Sequence, residues 1–271
     1  MMAKQKIHFI TYGDSLKYFL SKKHIKNLAS QSGIFETTKG YSKKDLDPIF
    51  LKQYKNIINQ ERGGGFYLWK MWIILNRLNF IENNDILYYS DAGSSFNPNG
   101  IKRFKEYIDL LNSSNFGNLR FEDKKGQIEK YWTTKEILNF FDEDLDSNIS
   151  NTTQLLGGHL LFKKNEHTKF FFEKFFEAIN NDWKLITDFY NHDQIQGFEE
   201  NRHDQSILSV LSKKYGGVIL ENETFFESNI DGQYRYPILS VRNYGHGFKD
   251  YIKYFLNIDN KKNKPVYFKE K

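Results

Sequence analysis

Apolar positions follow two rhythms along the chain, short β-rich runs and longer stretches at helical spacing. The run Ile7-His8-Phe9-Ile10-Thr11-Tyr12 stops at Gly13-Asp14, after which Leu16, Phe19, Leu20 and Ile25 recur at helical intervals. This predicts strand, turn, helix. A second short strand is expected over Gly33 to Thr37, and Asp47-Pro48 then opens a helix running to about Asn59, with Asp at the cap and Pro at the first helical position. Beyond Arg62-Gly63-Gly64-Gly65, the apolar residues from Phe66 to Ile81 cover one helical face, and Asp85 to Ser90 is a strand ending at Asp91-Ala92-Gly93. A helix over Gly100 to Leu111, a strand near Leu119 to Phe121 and the segment Thr133 to Phe141 precede a polar loop, Asp142 to Thr153, expected to be a mobile connection. A strand over Leu155 to Phe162, an aromatic helix over Asn165 to Tyr190, a helix starting near His203-Asp204 and a strand at Val218 to Leu220 complete the pattern.

Strands alternating with helices imply an α/β fold whose sheet is in large part parallel, with helices on both faces. Ligands on such sheets bind beyond the carboxyl ends of the strands. Two predicted strand ends, Tyr12-Gly13-Asp14 and Ser90-Asp91-Ala92-Gly93, carry small and acidic residues suited to that rim. No internal repeat or low-complexity linker divides residues 1–271, so a single domain with a polar, Lys-rich tail from about residue 260 is expected.

Composition narrows the chemistry. The 271 residues include no cysteine, which removes disulfide scaffolds, zinc–thiolate sites and thiol nucleophiles and leaves oxygen or imidazole to hold any metal. No apolar run approaches the ~20 residues that span a bilayer, and a charged turn follows the first strand, so a cytoplasmic protein is expected. The net charge of +5 is small and its lysines are spread along the sequence, unlike the basic arm of a nucleic-acid binder. No nucleic-acid partner is expected, although surface Lys and aromatic residues could bring the protein to a membrane surface.

Asp91 is the strongest local candidate: a carboxylate at the exposed end of a buried strand, followed by Ala92, Gly93, Ser94 and Ser95, leaves room for a phosphate and a hard cation. Such an Asp serves equally well as a turn cap. Arg62 and Lys70 flank the Gly run, where they could reach an anion held against the backbone amides of a helix start. Gly157-Gly158 ahead of His159 mark a bulge or a close backbone approach. Asp204 is a competent helix cap, with His203 a surface residue beside it.

The order Arg-Gly-x-Gly-aromatic-x-x-Trp-Lys from Arg62 to Lys70, a helix, then Tyr-x-Asp-x-Gly from Tyr89 to Gly93, resembles GT-A-fold nucleotide-sugar glycosyltransferases. The similarity is to sugar transferases of large DNA viruses and bacterial surface-polysaccharide clusters, and more distantly to glycogenin-like and lipopolysaccharide galactosyltransferase-like enzymes. It covers roughly residues 5 to 250. The resemblance implies a GT-A-like, Rossmann-type mixed sheet and transfer of a sugar from a nucleotide diphosphate sugar to a glycan or lipid-linked acceptor. Tyr12, Asp14, Arg62, Lys70, Asp91, Gly93 and Lys249 would then hold the donor, and Gly157, Gly158, His159 and His203 the acceptor. Asp204 and Gln205 would lie at the reacting carbon, Asp204 as the base of an inverting enzyme or both as stabilisers in a retaining one. Asp91 and His246 would hold Mn²⁺ or Mg²⁺, with Gly93 standing at the second acidic position of the family's Asp-x-Asp motif. Two other functions fit the residues: a non-catalytic carbohydrate- or nucleotide-binding protein, and a metal-dependent phosphohydrolase built on Asp91, Asp204 and His246.

Overall fold

The computed structural model describes residues 5–123, 126–225 and 236–240. Six strands form one sheet in the order β2 (Thr37–Tyr41), β1 (Ile7–Tyr12), β3 (Ile86–Ser90), β6 (His159–Lys163), β5 (Asn118–Phe121), β7 (Val218–Leu220). β1 pairs parallel with β2 and β3, β5 pairs parallel with β7, and β6 runs antiparallel to both of its neighbours. The carboxyl ends of β1, β3 and β5 and the amino end of β6 therefore share one rim. A second sheet pairs β4 (Ser95–Phe96) with β8 (Ile238–Leu239).

Alternation along the strands divides the core. Phe9, Ile86, Tyr88 and Leu161 face one side with Ile25 and Ala29 of α1 (Leu16–Gln31) and Phe104, Tyr107 and Leu111 of α6 (Ile101–Ser113). Ile10, Leu87, Tyr89, Leu160 and Phe162 face the other, under α5 (Leu68–Asn79), α9 (Glu166–Asn181) and α10 (Asp204–Lys214). All five residues of β3 are buried, so each large side chain there contributes about 1.5–3 kcal/mol by leaving water. The shorter helices are α2 (Pro48–Gln53), α3 (Lys55–Ile58), α4 (Gly63–Phe66), α7 (Glu129–Trp132) and α8 (Lys135–Phe140). The α/β class, the mixed sheet and the helices on both faces match the sequence-based expectation.

Several boundaries differ from it, each for a tertiary reason. The second strand lies at Thr37–Tyr41, where its register against His8 to Tyr12 is set by β1. The helix capped by Asp47 breaks at Tyr54, whose backbone leaves helical geometry, and resumes as α3. The aromatic helix, capped by the Asn165 side chain, ends at Asn181; Asp182 is extended and caps a separate 3₁₀ turn over Trp183–Ile186. The loop Asp142 to Thr153 is pinned: Thr153 bridges to Ile128, and the buried Ser150 donates to the Asp144 carbonyl at 2.5 Å. β6 begins at His159, because Gly157 and Gly158 spend their backbone groups on side chains and on β3.

Candidate active site

A cleft of about 1000 Å³ opens at the shared strand rim. The end of β1 and the turns after β1 and β3 supply Tyr12, Asp14, Asp91 and Gly93, the start of β6 and the residue before it supply His159 and Gly158, and α10 supplies Gln205. Segments distant in sequence thus meet where a parallel sheet places ligands.

At one end Tyr12 stacks on Trp69, ring centroids 3.7 Å apart, while the Trp69 indole N–H donates to the Gly63 carbonyl at 2.8 Å. Asp14 is exposed and accepts from the Lys43 amide at 2.7 Å. Gly63 to Tyr67, five consecutive residues, all have positive φ, which makes α4 a left-handed turn. Gly65 is obligatory: a Cβ there would lie 2.6 Å from the Ile58 Cα at a φ of 97°. This corrects the expected anion cradle, since the Gly64, Gly65 and Phe66 amides donate back to Glu61 and Arg62 carbonyls. Arg62 is held away by carboxylates, at 3.1 Å from Asp188 and 2.6 Å from Glu200, and is absent from the cleft lining.

Lys70 is likewise not a free cation at the cleft. Its buried ammonium lies 2.8 Å from Asp204 Oδ2 and 3.7 Å from Asp91 Oδ1, and donates to the Gly157 carbonyl at 3.0 Å. Burial alone would lower the Lys70 pKa, but the Asp204 and Asp91 charges outweigh it and hold the pKa above the usual lysine value. Burial pushes the Asp204 carboxyl upward, opposed by Lys70. Asp91 is different: half of its side chain is exposed, and Tyr89 Oη donates to its Oδ1 at 2.6 Å. Gly158 lets it sit there, because a Cβ on that residue would come 3.0 Å from Asp91 Oδ2.

Asp204 is the first residue of α10 and not its cap, and it lies behind the cleft wall. His203 occupies the cap position with φ 58° and ψ −119°, a costly conformation for a side chain with a Cβ. It is buried, contrary to the surface position expected, because its ring stacks on Phe66 at 5.0 Å and pairs with Asp188 at 2.9 Å. His159 is also buried, with ring nitrogens near Ser90 Oγ at 3.1 Å and Ser240 Oγ at 2.9 Å; burial lowers its pKa to about 4, so it is neutral at pH 7.

Gln205 reaches the cleft in a defined orientation. Its Oε1 accepts from the Gly157 amide at 2.9 Å, and its Nε2 donates to Asp123 at 3.1 Å and to Gln154 Oε1 at 2.8 Å. Gln154 cannot reverse, since its Nε2 donates to the acceptor-only carboxylate of Glu129 at 3.1 Å. Glu129 is fully buried and paired with Lys213 at 2.5 Å, with Thr133 and Ser209 hydroxyls donating to it. A chain of hydrogen-bond polarity thus runs from a buried ion pair to the cleft. Sequence reasoning missed Asp123, although it stands two residues beyond β5, in the turn after a strand as Asp91 stands in the turn after β3. Gln154 and Glu129 carry no local signal.

Among the described residues no group of three or more His, Asp or Glu side chains could hold a metal ion, and Asp91 alone does not fit one. His246 and Lys249, expected at the metal and the diphosphate, lie outside the described residues. No helix among the described residues is long and apolar enough to cross a membrane.

No family model matches the chain, and no curated protein matches its sequence. By fold it is similar to a glycosyltransferase involved in the glycosylation of the major capsid of PBCV-1, with TM-score 0.49, 11% identity, and coverage of 86% of this chain and 93% of that one. Mouse xyloside xylosyltransferase 1 in its apo form gives TM-score 0.46 and 9% identity over 89% of this chain and 95% of that one. The galactosyltransferase LgtC, in complex with donor and acceptor sugar analogues, gives TM-score 0.44 and 13% identity over 89% and 84%.

Proposed function

We propose that this chain is a GT-A-like glycosyltransferase that moves a sugar from a nucleotide diphosphate sugar to a glycan or lipid-linked acceptor. The observation that carries this reading is the meeting of Tyr12, Asp14, Asp91, Gly158 and Gln205 around one cleft of nucleotide-sugar size at the carboxyl rim of the sheet. The stacked Tyr12–Trp69 pair offers an aromatic face for a base, and the Asp14 carboxylate an acceptor for ribose hydroxyls. The small residues Ala92, Gly93 and Ser94 leave space for a diphosphate next to Asp91, and Gln205 with Asp123 borders the space left for the transferred sugar.

In the transfer, the bond from the anomeric carbon to the diphosphate breaks with its electron pair leaving on the nucleoside diphosphate, and a bond to an acceptor hydroxyl oxygen forms as the hydroxyl proton passes to the departing diphosphate or to water. Asp204 serves this site from behind, as the counter-charge that keeps Lys70 ionised beneath Asp91, and Asp123 is the carboxylate that stands on the wall beside Gln205. The described residues give Asp91 no companion ligand, so the transfer is proposed without a metal, and the Mn²⁺ arm of the test below measures any requirement.

The test is thermal unfolding of the full chain with UDP, GDP, CDP, ADP or dTDP, each with and without Mn²⁺. A ligand at ~100 times its dissociation constant adds ~2.7 kcal/mol of stability. One nucleotide diphosphate should stabilise the protein, and the matching nucleotide sugar should be consumed faster with an acceptor than without. Hydrolysis at equal speed without an acceptor would point to a phosphohydrolase, and no stabilisation by any nucleotide would defeat the proposal.

A further inference from the structure

Before the Lys-rich tail the lysines form no compact block in the sequence, but the charge is unevenly divided. Residues 14–59 hold nine Lys against four Asp or Glu, a balance of +5, residues 60–248 hold 21 basic against 27 acidic residues, a balance of −6, and residues 249–271 hold seven Lys against three acids, a balance of +4. Folding gathers the segment 14–59 around one edge of the molecule, because β2 is the edge strand of the sheet, α1 lies on one face beside it, and α2 and α3 lie on the other.

Lys26, Lys39, Lys44, Lys52 and Lys55 are exposed along this edge, and none of the five makes a salt bridge among the described residues. Elsewhere Arg62, Lys70, Arg103, Lys135, Lys174, Lys213 and Lys214 are paired with carboxylates, while Lys102, Lys105, Lys169 and Lys184 are exposed without a salt bridge among the described residues but are scattered over separate elements. Two of the acids within the segment are turned inward to backbone work, Asp45 on the Ser42 amide and Asp47 on the Ile49 and Phe50 amides. The same edge exposes two aliphatic side chains, Leu16 at 49% and Ile49 at 75%. They follow the cleft-lining residues Ser15 and Leu46 closely in sequence.

We propose that this basic edge docks the protein on the surface of an anionic lipid bilayer. All nine cations of the segment are Lys and none is Arg, so they act as hydrated point charges without the planar fork that reads a fixed phosphate geometry. Dispersed point charges suit a fluid layer of headgroups, and the exposed aliphatic tips suit insertion at its boundary. A single-stranded nucleic acid would instead call for exposed aromatic faces, and the most exposed apolar side chains in this segment are aliphatic. The docking stands on charge and exposure and does not depend on sugar transfer.

The experiment is co-sedimentation of the full chain with vesicles of phosphatidylcholine alone and with about 30% phosphatidylglycerol, at low and high salt, the negative surface being what attracts the lysines. Binding should occur on the anionic vesicles only and disappear at high salt. Each Lys reversed should weaken it about fivefold or more, so that the joint variant K26E/K39E/K44E/K52E/K55E no longer sediments. Ile49→Asp should weaken it separately, while K102E/K105E/K169E, which reverses three exposed Lys elsewhere, should bind at least half as well as the parent. The proposal is overturned by absence of sedimentation, by equal binding to neutral vesicles, or by parental binding of the five-Lys variant. Tighter binding of a labelled single-stranded oligonucleotide than of anionic vesicles at the same salt would also overturn it. Circular dichroism and the melting temperature of each variant confirm that it is folded.

Discussion

The open rim and the floor of the cleft hold their polar groups in opposite ways. At the rim, Asp14 is exposed and Asp91 half-exposed, each with hydrogen bonds that leave part of the carboxylate facing the cleft. At the floor, Lys70, Asp204 and Glu129 are buried and Lys213 is partly buried, and each charge has an opposite charge within 2.8 Å. The rim can exchange water for a ligand at small cost, whereas the floor is committed to itself and acts by holding Gln205 and Asp91 in place. Charge near a cleft is therefore a poor guide to what contacts a ligand until its partners are known.

The sharpest way to break this comparison is Asp204→Ala, which leaves the buried Lys70 ammonium only Asp91, 3.7 Å away, as a counter-charge. The expected loss is about 3–5 kcal/mol in urea unfolding, and K70M/D204L should recover most of it. A loss under about 1 kcal/mol would mean that the floor is not locked by charge.

His159 tests the floor through pH. Its folded pKa of about 4 lies below the ordinary 6.5, so the unfolded chain takes up the proton first as pH falls. The associated stability is fully present above about pH 6.5 and is lost as pH falls toward about 4, a decline of order 3 kcal/mol that should vanish from the pH profile of His159→Gln. Gln154→Leu should cost about 1–3 kcal/mol, because Glu129 and Gln205 each lose a hydrogen-bond partner. It should also reduce turnover with the donor concentration dependence little changed, as expected of a residue that positions Gln205.

The smallest effect on stability belongs to the rim. Asp91→Asn should shift unfolding by less than about 1 kcal/mol, since the carboxylate is half in water, yet it should abolish stabilisation by a nucleotide diphosphate. Retained stabilisation would place the ligand elsewhere.

The periodicity of residues 7–12 and 86–90 and the acids that follow them made the α/β order and one rim of the cleft legible. The same rule of an acid after a strand also covers Asp123, beyond Phe121. These features are local: the repeat of apolar positions sets the element, and the element's end sets where the next polar residue emerges.

Pairing across the fold was not legible. Lys70 reads as a cation for an anionic ligand until its ammonium is seen on Asp204 and on the Gly157 carbonyl, 87 residues away in sequence. Arg62 and the Gly run read as an anion site until Asp188 and Glu200 hold the one and a left-handed turn consumes the amides of the other. Lysines dispersed over residues 14–59 read as diffuse charge until β2 becomes an edge strand and gathers them. By itself the sequence determined which residues form strands and helices and which polar groups stand at their ends. The tertiary structure alone decided which charges neutralise one another and which face solvent, because electrostatic pairing depends on separation in space and on burial, and chain order specifies neither.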